Sequence, residues 1–149
     1  MIQTRSGSCH CGRICFRCEV DLGAGPARSP QARPGPWYAT TLRCNCSYCR
    51  KTRTWKAHVP AEAFVLLTDE ALPGRYRFGG CAIEHCFCPA CGVNTFSRAD
   101  FAEMGGPFVC INLACLDDVS PAELAAAPVR HEDGAHDDWA SSPAITSYL

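Results

Sequence analysis

The sequence predicts a mainly β domain organised around metal-binding cysteines. Three observations lead there. Runs rich in aromatic and β-branched residues recur between Gly, Pro and Asp turns. A single segment carries a full helix signal. Cysteine fills 13 of 149 positions, seven of them in tight groups, a density met in disulfide or metal scaffolds. The length fits one domain, read as 1–149, large enough for a hydrophobic core without staples.

The first strand is expected at 13–20 (RICFRCEV), where Ile14, Phe16, Cys18 and Val20 alternate with Arg13, Arg17 and Glu19. Residues 22–36 (LGAGPARSPQARPGP) hold four prolines and three glycines and are expected to form a long loop. Further strands are expected at 37–43, 55–59, 64–67, 75–79, 82–87, 93–97 and 108–113. The helix begins at Ser120-Pro121-Ala122-Glu123, a capping box with Pro at the first helical position. It runs through LAAA and stops before Pro128. One short helix near the C-terminus therefore accompanies the strands.

Charge excludes several function classes. Lys plus Arg number 14 and Asp plus Glu 15, a net charge of −1. That balance gives no basic excess for nucleic acid or an anionic membrane surface. No run approaches the roughly 18 apolar residues of a membrane-spanning helix. The opening MIQTRSGSCHCG has no apolar stretch of the secretory kind. These features set the expectation of a cytoplasmic protein with reduced thiols, where clustered cysteines point to metal or catalysis. The odd cysteine count also rules out full pairing within one chain.

Three cysteine groups carry the chemistry: Cys9-His10-Cys11-Gly12, Cys44-Asn45-Cys46-Ser47-Tyr48-Cys49 and Cys88-Pro89-Ala90-Cys91-Gly92. Zinc takes four tetrahedral ligands, with thiolates at about 2.3 Å. A C-x-x-C turn followed by Gly aims two sulfurs at one ion, and Cys88 and Cys91 form such a turn. Cys9 and Cys11 supply a matching pair. These four are read as one closed structural zinc site. The middle trio, Cys44, Cys46 and Cys49, has no obvious fourth partner, and three protein ligands with an open position is the catalytic pattern. The alternatives are a trio closed by a histidine or another cysteine, Cys81 or Cys86 included, and a trio left empty or oxidised.

Three thiolates on Zn²⁺ leave a net charge of about −1, which makes the metal a weak activator of water. A soft thiol from a substrate suits it better. Arg50 and Lys51 follow Cys49 directly and Arg43 precedes Cys44, so cations stand near to offset the added charge. Arg50 and Lys51 are the candidate residues for supporting a thiol substrate.

CHCG near the N-terminus, then C-x-C-S-x-C-R-K, then FC-x-x-CG resembles the glutathione-dependent formaldehyde-activating enzyme family. The likeness spans roughly residues 6–113, and the later VRHEDGAHDDWA looks like the family's late His and Trp region. The resemblance implies an Mss4-like, β-rich fold, shared with the centromere protein V group. It implies a structural zinc on Cys9, Cys11, Cys88 and Cys91 and an exchangeable, catalytic zinc on Cys44, Cys46 and Cys49. The implied reaction is carbon–sulfur lyase chemistry joining glutathione to formaldehyde. Asn45 departs from the pattern, standing where the family often has His.

The other singled-out residues have plainer expectations. Cys15, Cys18, Cys110 and Cys115 read as small core residues, and Cys81 and Cys86 as core or ligand-supporting. His10 lies between two ligands and is expected to point away from their metal. His58 and His85 fall on strands, where a histidine satisfied within the fold is the commoner outcome. His131 and His136 lie among Glu132, Asp133, Asp137 and Asp138, read as a solvated surface. Trp37, Trp55 and Trp139 belong to the core or to a pocket rim. Outside the enzyme class, the main alternative is a non-catalytic zinc module that binds a protein partner. A thiol-based redox or metal sensor is a third reading.

Overall fold

The computed structural model describes residues 2–22 and 40–149. Among these residues ten strands dominate: β1 Gln3–Ser8, β2 Cys15–Val20, β3 Thr41–Cys44, β4 Lys56–Pro60, β5 Phe64–Leu66, β6 Gly74–Tyr76, β7 Ile83–Phe87, β8 Asn94–Phe101, β9 Gly106–Asn112 and β10 Val129–Glu132. Two six-residue α-helices join them among the described residues, α1 Ser47–Thr52 and α2 Pro121–Ala126. The expected 22–36 loop lies outside the described residues except for Leu22, which is buried. Trp37 and the first part of the 37–43 strand lie outside them too.

The strands form a three-stranded sheet, β1-β2-β5, and a seven-stranded sheet ordered β10-β3-β4-β9-β8-β7-β6. Among the described strands, pairings are antiparallel except β10 with β3. The expected alternation in β2 holds: Ile14, Phe16, Cys18 and Val20 are all buried. Phe16 meets Phe64 and Phe96 at centroid distances of 5.5 and 6.3 Å, joining the two sheets through aromatic contacts.

The large sheet has two distinct faces, a consequence of the two-residue period of a strand. Cys86, Phe96, Ile111 and Ala57 align across β7, β8, β9 and β4 and are buried in the core. One residue along, His85, Ser97, Cys110 and His58 align on the opposite face. That face is polar, and the candidate site is built on it.

α2 has the expected capping box, with Ser120 Oγ accepting from Glu123 N and the Glu123 carboxylate accepting from Ser120 N at 2.9 Å. Three elements were not expected. β1 is polar (QTRSGS) and has no alternating apolar pattern of its own. α1 is short and held by its cap, the Cys46 sulfur accepting from Cys49 N. β10 (VRHE) is a charged strand that pairs parallel to β3. It corrects the reading of Glu132 as solvated: this carboxylate is 2% exposed and lies 3.3 Å from Lys56 Nζ.

Candidate functional site

Two hairpin turns build the first cysteine cluster. Cys9 follows β1 and Cys88 follows β7, and in each turn the cysteine N–H donates to the carbonyl five residues on, Ile14 or Val93, at 2.9 Å. Gly12 and Gly92 close the turns at φ +74° and +75°, a left-handed conformation that favours glycine. The sulfurs of Cys9, Cys11, Cys88 and Cys91 lie within 4.8 Å of one another. Cys9 and Cys11 are 3.7 Å apart, Cys11 and Cys88 3.6 Å. A zinc tetrahedron with Zn–S bonds of about 2.3 Å has an S···S edge of about 3.8 Å, so this spacing fits zinc. Ile14 N–H donates to Cys9 Sγ at 3.2 Å, which supports a thiolate there.

The second cluster sits where β3 runs into α1. Cys44, Cys46 and Cys49 bring their sulfurs within 4.8 Å of one another. Cys44 and Cys49 are buried and Cys46 is partly exposed. Backbone N–H groups of Cys46 and Cys49 donate to Cys44 Sγ and Cys46 Sγ at 3.3 and 3.4 Å. The thiols interact strongly: hydrogen bonds with Cys44 and then Cys49 hold Cys46 well below the ordinary thiol pKa, while those with Cys44 and then Cys46, together with burial, push Cys49 up. Such a cluster gives up one proton readily and holds the others unless a cation replaces them. A soft dication suits this donor set.

No fourth Cys, His, Asp or Glu ligand atom joins the trio among the described residues. Cys86 is 1% exposed on the core face of β7, one residue out of phase with the cavity side. Cys81 lies on an exposed loop, its Sγ 3.8 Å from the Gly79 carbonyl. The trio opens instead on a cavity of about 640 Å³, whose lining also includes His85, Ser97, Phe78 and Trp139.

The predicted cations part ways here. Arg50 lines the cavity, whereas Lys51 is exposed and does not. Arg43 lies over the Trp55 ring at 5.1 Å. The cation that sequence reasoning missed is Lys56, which lines the cavity from β4. Burial opposes its charge, but Glu132 and then Cys49, Cys110 and Cys44 hold its pKa above the ordinary lysine value. Its strand position two residues before His58 was legible; its buried partner on β10 was not.

The segment after β10 folds over the trio. Asn45 is 5% exposed. Its Nδ2 donates to Asp133 Oδ1 at 2.6 Å and its Oδ1 accepts from Ala135 N at 2.8 Å. The departure at Asn45 thus has a structural role, fastening the 133–135 segment beside the cysteines. His58 packs edge-on against Phe108 at 5.2 Å. His131 is half-buried, and His136 is exposed with Nδ1 2.9 Å from Asp133 Oδ2. Cys18 and Cys115 are buried as expected, whereas Cys110 lines the cavity, where burial pushes its thiol up to about 12.

Residues 4–132 match the family described as glutathione-dependent formaldehyde-activating enzyme, and the chain belongs to it. Among solved structures it is similar to a Rhodobacter sphaeroides protein, with 26% identity and a TM-score of 0.60. The match covers 84% of this chain and 99% of that one. The mainly β architecture is consistent with the Mss4-like fold expected of the family. No helix among the described residues is long and apolar enough to cross a membrane.

Proposed function

We propose that this chain is a zinc-dependent enzyme of the carbon–sulfur lyase type, joining a small thiol such as glutathione to formaldehyde or a related small carbonyl. The family supports a formaldehyde-activating role. The observation that carries the reading is the trio, three clustered sulfurs without a fourth protein ligand atom among the described residues, opening on a cavity.

In this reading Cys9, Cys11, Cys88 and Cys91 hold a structural zinc, and Cys44, Cys46 and Cys49 hold a catalytic one. When bound at the trio, zinc supplies an affinity for soft sulfur that makes a thiol acidic at neutral pH. The protein supplies the rest. Lys56 places a positive charge beside the trio, Arg50 at the cavity wall suits a substrate carboxylate, and the cavity holds thiol and carbonyl together. The net charge of −1 accords with a small-molecule substrate in preference to nucleic acid.

The test is the rate of glutathione–formaldehyde adduct formation above the spontaneous rate, measured for wild type and C46S. Acceleration by wild type, lost in a folded C46S, is the expected result. Equal rates with and without wild-type protein overturn the activity. A C46S that fails to fold favours the non-catalytic zinc module.

A further inference from the structure

His85 on β7 is 6% exposed and lines the cavity. Its Nδ1 lies 2.9 Å from Ser97 Oγ, while its Nε2 is buried and has no hydrogen-bond partner in the protein. The expected satisfied histidine is therefore only half satisfied. Buried polar atoms are nearly always paired, so an orphan in a cavity wall points to a ligand atom.

The ring is fixed in place. Tyr48 stacks on it at 3.8 Å with an interplanar angle of 23°, and Phe78 lies at 5.5 Å and 15°. Tyr48 sits between Cys46 and Cys49 in the chain, and its hydroxyl accepts from Asn94 Nδ2 at 2.6 Å. The stack thus locks the imidazole to the segment that carries the trio.

We propose that His85 Nε2 carries the proton in the thiol–carbonyl addition; this rests on the reading above. Nε2 accepts the proton of the incoming thiol. The sulfur electron pair forms the C–S bond as the C=O π pair moves onto oxygen. That oxygen then takes the proton from Nε2. Thiol plus carbonyl gives a hydroxyalkyl thioether, the imidazole ends as it began, and no other reactant is needed. The scheme requires Nδ1–H to donate to Ser97 Oγ, leaving the lone pair on Nε2.

The neighbourhood suits a neutral base. Tyr48 at α1 and Tyr76 on β6 pack against the ring, the latter at 6.4 Å. Cys46 and Lys56 act on its charge, and Arg50, Cys110 of β9 and Asp137 line the same cavity. Burial holds the imidazole below its usual pKa, Cys46 opposes this and Lys56 adds to it.

Two measurements test the proposal. Imidazole ¹⁵N NMR on the wild-type zinc-loaded protein reads the tautomer without any variant. The expected result is a proton on Nδ1 and a bare Nε2; a proton resident on Nε2 overturns the proposal. Exchange NMR of the glutathione–formaldehyde adduct then compares wild type with H85N, which keeps a donor near Ser97 but lacks Nε2. The expected loss is about 10²–10⁴-fold, together with loss of the acid limb of the pH profile, while both zinc ions are retained. An H85N with the wild-type rate and profile overturns this proposal alone. A wild-type protein that accelerates no thiol–carbonyl pair overturns the parent reading and this one with it.

Discussion

Gly134 packs so tightly on Cys44 that a methyl group on its α-carbon would sit 2.7 Å from the Cys44 sulfur and 2.8 Å from the Trp139 ring. Position 134 lies just beyond the residues that match the family, 4–132. The segment that crosses the trio is therefore shaped for it. Glu132 pairs in register with Cys44, and Asn45 N donates to the Glu132 carbonyl at 3.2 Å.

This contact predicts that G134A disturbs the trio and spares the outer four cysteines. Zinc titration should show one tight site unchanged and the second weakened at least several-fold. Equal weakening of both sites, or of neither, would contradict the placement of this segment.

Asn45 fastens the same segment through two side-chain hydrogen bonds. Truncation in N45A leaves Asp133 and Ala135 N without these partners, a loss of about 1–3 kcal/mol. Chemical denaturation measures it. Cleavage by a protease within 133–139 should also rise in the variant.

Lys56 and Glu132 form a buried ion pair, their side chains 13% and 3% exposed. Removing one partner strands the other, so K56M or E132Q should each cost about 3–5 kcal/mol. The double variant should cost clearly less than the two singles combined. A double-mutant cycle with full additivity would contradict the pairing.

Acid should weaken the β6–β7–β8 edge. Hydrogen bonds from Arg98, against opposing desolvation, hold Glu70 below the usual glutamate pKa. Desolvation also opposes ionisation of Glu84, but bonds from Arg77 and Arg75 hold it below that value too. A carboxylate depressed in the folded state stabilises above its unfolded pKa, about 4.3, and that contribution is lost as pH falls. Melting temperature should drop below pH 5, and less steeply in the E70Q/E84Q double variant.

Much of this site was legible in the chain. The spacing of Cys9, Cys11, Cys88 and Cys91 anticipated one cluster and that of Cys44, Cys46 and Cys49 the other, because short turns fix where neighbouring sulfurs point. The capping box at Ser120 and the alternation through β2 were equally local signals. The missed parts are non-local. β1 and β10 have no apolar periodicity, and each becomes a strand because a partner supplies its hydrogen bonds. Glu132 looked solvated because its partner Lys56 lies 76 positions earlier in the sequence. His85 looked ordinary because its phase against Cys86, which divides cavity from core, is set by the register of β7 on β8.

As proposed, the trio is an open metal site that accepts a thiol. The most direct measurement is a zinc-edge anomalous difference map from crystals of the zinc-loaded protein soaked in glutathione. Two peaks are expected, one within Cys9, Cys11, Cys88 and Cys91 and one at Cys44, Cys46 and Cys49 with the glutathione sulfur as its fourth ligand. A trio peak closed by a fourth protein side chain, or no peak there after zinc loading, would contradict it.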